Sequence, residues 1–259
     1  QAVRAAVTPE TKLLYMETPS NPTLGITDIA GVVAIAKEFG ALTFLDNTFM
    51  TPIHQRPLDL GVDVVIHSAT KFLSGHSDIV AGLVVTKEPA LGEQVYFIQN
   101  SFGSCLGVQD SFTLIQNMKT TAVRFNESAR VASVLATFLD NHPLVEKVYY
   151  PGLASHPGAD IHARQSTSAG AVLSFSLPSY DVAKVFVEAM QIPVFAVSLG
   201  GVESTLSYPA KMSHAAMEPE ERAKRGITDG LLRFSVGLEN EHDLLEDFAQ
   251  ALEKALQVK

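Results

Sequence analysis

Three short apolar runs do most to limit what this chain can fold into. Leu13 to Glu17, Leu42 to Leu45 and Val62 to Ile66 each give way to polar residues. Thr18-Pro19-Ser20-Asn21-Pro22 follows the first, Asp46 the second and Ser68 closely follows the third. Between the first two, Ile29, Val32, Val33, Ala36 and Phe39 recur at helical spacing, with Thr27 or Asp28 available as N-cap and Gly40 as the stop. A fourth run, Leu83 to Thr86, comes later. Strands that are apolar on both faces and separated by helices predict an α/β fold, a mostly parallel sheet flanked by helices.

The pattern changes past the middle. Gln109 to Asp140 reads as helix, with a break expected near Lys119 to Ala122. After His142 and Pro143, strands are predicted at Val145 to Tyr149, Ala171 to Leu177 and Leu231 to Val236, and helices at Asp181 to Met190 and Glu241 to Leu256. The last helix gathers Leu244, Leu245, Phe248, Leu252 and Leu256 on one face. These elements describe a second, smaller α/β or α+β domain. The boundary is placed in the long helical stretch, giving domains at residues 1–122 and 123–259.

Composition narrows the function. Of 259 residues, 46% are hydrophobic and 18% charged, which excludes a disordered chain. A net charge of -9 argues against a nucleic-acid backbone as partner. No apolar run is long enough to span a bilayer and no signal-peptide pattern opens the chain, so a soluble, cytoplasmic protein is expected. Cys105 is the single cysteine, so no disulfide forms within the chain and no multi-cysteine zinc site exists.

The polar residues carry the chemistry. Asn21, Asp46 and Ser68 sit just past the carboxyl ends of predicted strands, where α/β sheets hold their ligands, so the three are expected to converge. Ser68-Ala69-Thr70-Lys71 adds two hydroxyls and an amine in a tight turn, a combination suited to a phosphate monoester and a second group on the same ligand. Asp46 either caps the following turn or faces a cationic ring nitrogen of the kind a pyridoxal ring presents. Lys71 is either a solvated loop residue or a buried amine whose pKa burial would depress, the latter favoured by its place between an apolar strand and Phe72-Leu73. His67 reads as a packed strand-end residue and Cys105 as structural. No G-x-G-x-x-G, Walker-type loop or G-x-S-x-G elbow is present, and the eight histidines form no H-x-x-x-H pair, so no metal site is expected.

At this point the motifs add up. E-T-P-S-N-P (Glu17 to Pro22), D-N-T-F (Asp46 to Phe49), D-V-V-I-H-S-A-T-K (Asp63 to Lys71) and G-H-S-D (Gly75 to Asp78) occur in order. S-L-G-G-V-E-S (Ser198 to Ser204) and L-L-R-F-S-V-G-L-E (Leu231 to Glu239) continue the series. The chain resembles the Cys/Met-metabolism branch of the fold-type I pyridoxal-phosphate enzymes, above all its bacillar cystathionine β-lyases. The resemblance implies that Lys71 forms the Schiff base with pyridoxal 5'-phosphate, that Asp46 pairs with the ring nitrogen and that Ser68 and Thr70 hold the phosphate. Asn21 is implied near the ring hydroxyl. Arg233, which by its own sequence position could face solvent or reach inward, is implied to take the substrate α-carboxylate, with Ser198 in the same pocket.

The implied activity is a carbon–sulfur lyase of methionine biosynthesis, converting cystathionine to homocysteine, pyruvate and ammonia, in a homotetramer built as a dimer of dimers. Relatives of this kind carry a further amino-terminal segment with a ring-stacking tyrosine, a glycine-rich phosphate turn and a tyrosine-arginine pair donated across the dimer, so the chain is expected to be truncated. γ-Elimination or γ-replacement enzymes of the family are the alternative; many carry a glutamate before the serine of S-L-G-G, where this chain has Val197. Valine also occurs there in methionine γ-lyase relatives. The strings Ser207 to His214 and Arg225 to Gly230 favour the β-lyases. A reading of another class is an inactive remnant of the fold serving as an assembly module.

Overall fold

In the computed structural model, which describes residues 1–258, the Asp28 carboxylate accepts the Gly31 N–H and starts helix α2 (Ile29–Phe39). A short helix α1 (Ala2–Ala6) precedes it. Gly40 ends α2 at φ 64°, in the left-handed region that only glycine enters without strain. The apolar stripe of α2 packs on a four-stranded sheet: Ile29, Val32 and Val33 meet Met16, Leu45 and Val65 in one buried cluster. The strands are β1 (Leu13–Glu17), β2 (Leu42–Asp46), β3 (Val64–Ser68) and β4 (Gly82–Thr86), side by side in that order. The first three are parallel and β4 is antiparallel to β3. Register sets Glu17 opposite Asp46 and Asp46 opposite Ile66, so the carboxyl ends of β1 to β3 share one edge.

The long helical stretch is several elements. After a one-turn α3 (Thr51–His54) and α4 (Pro89–Phe102), the predicted stretch from Gln109 to Asp140 is α5 (Val108–Met118) and α6 (Thr121–Asp140), broken at Lys119-Thr120 as expected. Val131, Leu135 and Leu139 of α6 are fully buried against the second sheet.

That sheet comprises β5 (Lys147–Tyr149), β6 (Val172–Ser176), β7 (Val194–Phe195), β8 (Thr205–Ser207) and β9 (Leu231–Ser235), in the order β5-β6-β9-β8-β7. All neighbours are antiparallel except β7 and β8. Its strands are mostly antiparallel, so of the two architectures expected for the second domain this is α+β. Strands β7 and β8, two and three residues long, escape sequence periodicity because they show less than two full alternations. Helices α7 (Ala159–Gln165), α8 (Tyr180–Ala189), α9 (Pro219–Lys224) and α10 (Glu241–Ala255) complete the chain.

Strand β9 divides its side chains by alternation. Leu232 and Phe234 belong to the core that α6, α8 and α10 cover, where Phe248 lies edge-on to Phe234 and Phe186. Arg233 and Ser235 take the other face, with Ser174 and Ser207 directly opposite Arg233 on the two flanking strands. That polar face looks toward the first sheet. Ser174 Oγ donates to the Pro22 carbonyl at 2.7 Å, and Leu24, Phe49, Phe72, Phe125, Val172 and Leu199 seal the two parts together. No helix of the described residues is long and apolar enough to cross a membrane.

Candidate active site

Asp46 and Ser68 are the last residues of β2 and β3, and Thr48 links them. Its N–H donates to Asp46 Oδ1 at 2.9 Å and its Oγ1 accepts the Ser68 N–H at 2.8 Å. Asp46 thus caps the following turn with one oxygen, while Oδ2 and the Ser68 hydroxyl have no hydrogen-bond partner among the described residues. Partial enclosure, then the Asp46 charge beside it, holds the Glu17 carboxyl above the ordinary range. Negative charge is concentrated at this edge. Thr70 is committed elsewhere: its Oγ1 accepts the Ala81 N–H at 2.9 Å and donates to the Ala81 carbonyl at 3.3 Å.

Lys71 leaves this turn and points at the second sheet, its Nζ donating to Ser198 Oγ at 2.7 Å. Ser198 holds φ 84°, a strained value for a residue with a Cβ. Two residues on, Gly200 has φ 78°, and a Cβ there would lie 2.7 Å from the Phe72 nitrogen. Only glycine lets the Ser198–Gly200 turn come this close to Lys71-Phe72. Burial, and after it the nearby Arg233 guanidinium, pushes the Lys71 amine below the usual lysine range.

Arg233 is 4% exposed. It donates from one Nη to Asn21 Oδ1 at 2.8 Å and from the other to the Ser198 carbonyl at 2.6 Å, and its Nε has no partner. No carboxylate among the described residues forms an ion pair with it. Burial alone brings its pKa down to about 10. A desolvated cation with only neutral acceptors is a receptor for an anion, and a planar fork suits a carboxylate. Asn21, Lys71, Val197, Ser198, Ser207 and Arg233 line a cavity of about 220 Å³. The fold therefore brings Asn21, Lys71, Ser198 and Arg233 together, with Asp46, Ser68 and Thr70 on the adjoining strand ends rather than in the cavity wall.

Two residues that support the site carry no predicted role, although Thr48 lies within the D-N-T-F string. Thr48 ties the ends of β2 and β3. Arg124, 8% exposed, donates to the Phe72 and Leu73 carbonyls at 3.0 and 3.3 Å and braces the chain just after Lys71. Its signal is an arginine on the buried stripe of α6, with Thr121, Phe125 and Ser128.

The residues fit a pyridoxal phosphate group. An amine kept below its ordinary pKa, an acid with a free oxygen, a free hydroxyl one turn away and an unpaired guanidinium are the functions such a group and an amino-acid substrate call for.

The model of the family described as Cys/Met metabolism PLP-dependent enzyme matches residues 1–253. The chain is 63% identical over 252 residues to cystathionine beta-lyase MetC of Bacillus subtilis (strain 168), covering 97% of this chain and 65% of the relative. Cystathionine gamma-lyase of the same organism is 48% identical over 253 residues, covering 98% and 67%. The crystal structure of cystathionine gamma-lyase from Lactobacillus plantarum complexed with L-serine superposes with a TM-score of 0.96 at 45% identity, over 98% of this chain and 67% of that one. The chain spans about two thirds of the length of the curated relatives it matches. Agreement of sequence and fold along nearly the whole chain admits one conclusion: it belongs to the Cys/Met-metabolism family of PLP-dependent enzymes.

Proposed function

We propose that the enzyme formed by this chain is a carbon–sulfur lyase that, with one water, converts cystathionine to homocysteine, pyruvate and ammonia. The observation that carries the reading is Arg233, a buried cation without an acid, in the same cavity as the Lys71 amine. Its guanidinium takes the substrate α-carboxylate and so fixes Cα near Lys71. When bound, pyridoxal phosphate draws electron density from Cα, which makes the proton there labile and lets the Cβ–sulfur bond break. Asp46 would face the ring nitrogen, Ser68 and Thr70 would hold the phosphate and Asn21 would lie near the ring hydroxyl. For Thr70 this requires its hydroxyl hydrogen to turn from the long bond to Ala81. Lys71 Nζ, held by Ser198 Oγ, takes the proton from Cα and returns one to the departing sulfur.

Val197, which lines the cavity, offers no carboxylate to a substrate ammonium and so weakens the γ-synthase and γ-lyase readings without selecting β-elimination; the strings Ser207 to His214 and Arg225 to Gly230 support the β-lyase. We assign residues 1–122 to the cofactor-binding domain and residues 123–259 to the second, C-terminal domain. A cytoplasmic homo-oligomer is the proposed form, supported by the exposed Tyr96, Phe97, Phe102, Phe112 and Ile115 on α4 and α5. Product analysis tests the function. Incubation with cystathionine is expected to yield homocysteine and pyruvate in equal amounts, and Lys71→Ala to lower the rate by about 10³-fold or more. Release of cysteine and 2-oxobutyrate would replace the reading with a γ-lyase, and undiminished turnover by Lys71→Ala would remove Lys71 from the chemistry.

A further inference from the structure

We infer that Ser235 is a positioning residue that holds the Ser198–Gly200 turn, and through it the Ser198 hydroxyl, against Lys71. The inference rests on Lys71 being the working amine of the proposed function. Ser235 is 1% exposed and stands two residues after Arg233 on the same face of β9. Its Oγ accepts the Gly200 N–H at 2.8 Å, while Arg233 donates to the Ser198 carbonyl at 2.6 Å. One strand thus grips the turn at both ends, by a carbonyl and by an N–H.

The turn needs a grip. Ser198 sits at φ 84°, where a residue with a Cβ is held only by its surroundings, and its hydroxyl is the acceptor for Lys71 Nζ. Without Ser235 Oγ, the Gly200 N–H is left buried and unpaired, and relief comes from the turn lifting away from Phe72. Lifting separates Ser198 Oγ from Lys71 and lets water reach the amine.

The test uses Ser235→Ala and Ser235→Thr, the second retaining the hydroxyl. In protein freed of cofactor, the ionisation of the Lys71 amine is read from the pH dependence of its modification by trinitrobenzenesulfonate, with the labelled peptide followed by mass spectrometry. Ser235→Ala is expected to move the Lys71 pKa up toward the ordinary lysine value and to lower kcat/KM of the loaded enzyme by roughly tenfold, mostly through kcat. Ser235→Thr is expected to restore both. A Lys71 titration unchanged in Ser235→Ala overturns the inference, whatever happens to folding stability. Failure of the wild-type enzyme to act on cystathionine would instead overturn the proposed function, with the amine titration still deciding the role of Ser235.

Discussion

Arg233 is surrounded by neutral acceptors, and that decides what it does. Sequestering a guanidinium from water costs several kcal/mol when no anion meets it, and the hydrogen bonds to Asn21 and Ser198 offset only part of this. In the proposed function a bound carboxylate supplies the rest, so ligand binding and relief of an internal cost are the same event. Lysine at this position keeps the charge but loses the fork. Arg233→Lys is expected to raise KM for the amino-acid substrate by roughly 10- to 100-fold with a smaller effect on kcat, as measured by steady-state pyruvate release. An unchanged KM with a large fall in kcat would place Arg233 outside substrate binding.

Single elements serve the core and the site at once. On β9, Leu232 and Phe234 anchor the second sheet to its helices while Arg233 and Ser235 work on the opposite face. The strand cannot shift by one residue without exchanging the two sets. Its anchorage runs through Phe248 on α10, which is fully buried against Phe175, Phe186 and Phe234. Phe248→Ala leaves a cavity there and is expected to cost about 3–5 kcal/mol in urea unfolding. A loss below about 1 kcal/mol would mean that the aromatic cluster does not hold β9 in place.

Across the whole molecule, three buried histidines set the response to acid. His67, His156 and His162 are 5%, 5% and 2% exposed, and each keeps a buried Nδ1 without a partner. Burial is the first cause that lowers the pKa of each below the ordinary histidine value. Above about pH 6.5 the folded and unfolded chains both leave these rings neutral. As pH falls through that value the unfolded chain binds protons that the folded chain refuses, so stability is lost toward acid, down to the folded-state pKa values. The urea midpoint is expected to fall from pH 7 to pH 5, three buried rings outweighing the one raised carboxyl, Glu17, which acts in the opposite sense. A flat midpoint over that range would contradict the burial of neutral rings.

What was legible in the chain follows from how far each signal reaches. The strand ends at Asp46 and Ser68, the Asp28 cap, the Gly40 stop and the break near Lys119 are encoded in a few neighbouring residues, and local physics places them. The turn bearing Lys71 follows from the same signals, since a polar cluster after a buried strand has few places to go. The pairing of the second sheet was not legible, because the short β7 and β8 take their order from packing. Nor was the site as a whole. Lys71 meets Ser198 across 127 positions and Arg233 meets Asn21 across 212, distances over which no periodicity carries information. Those contacts exist because Leu24, Phe49, Phe72, Phe125, Val172 and Leu199 bury themselves between the two sheets. Local sequence sets where the polar residues follow their strands; burial of that apolar seam, a long-range event, sets which of them meet.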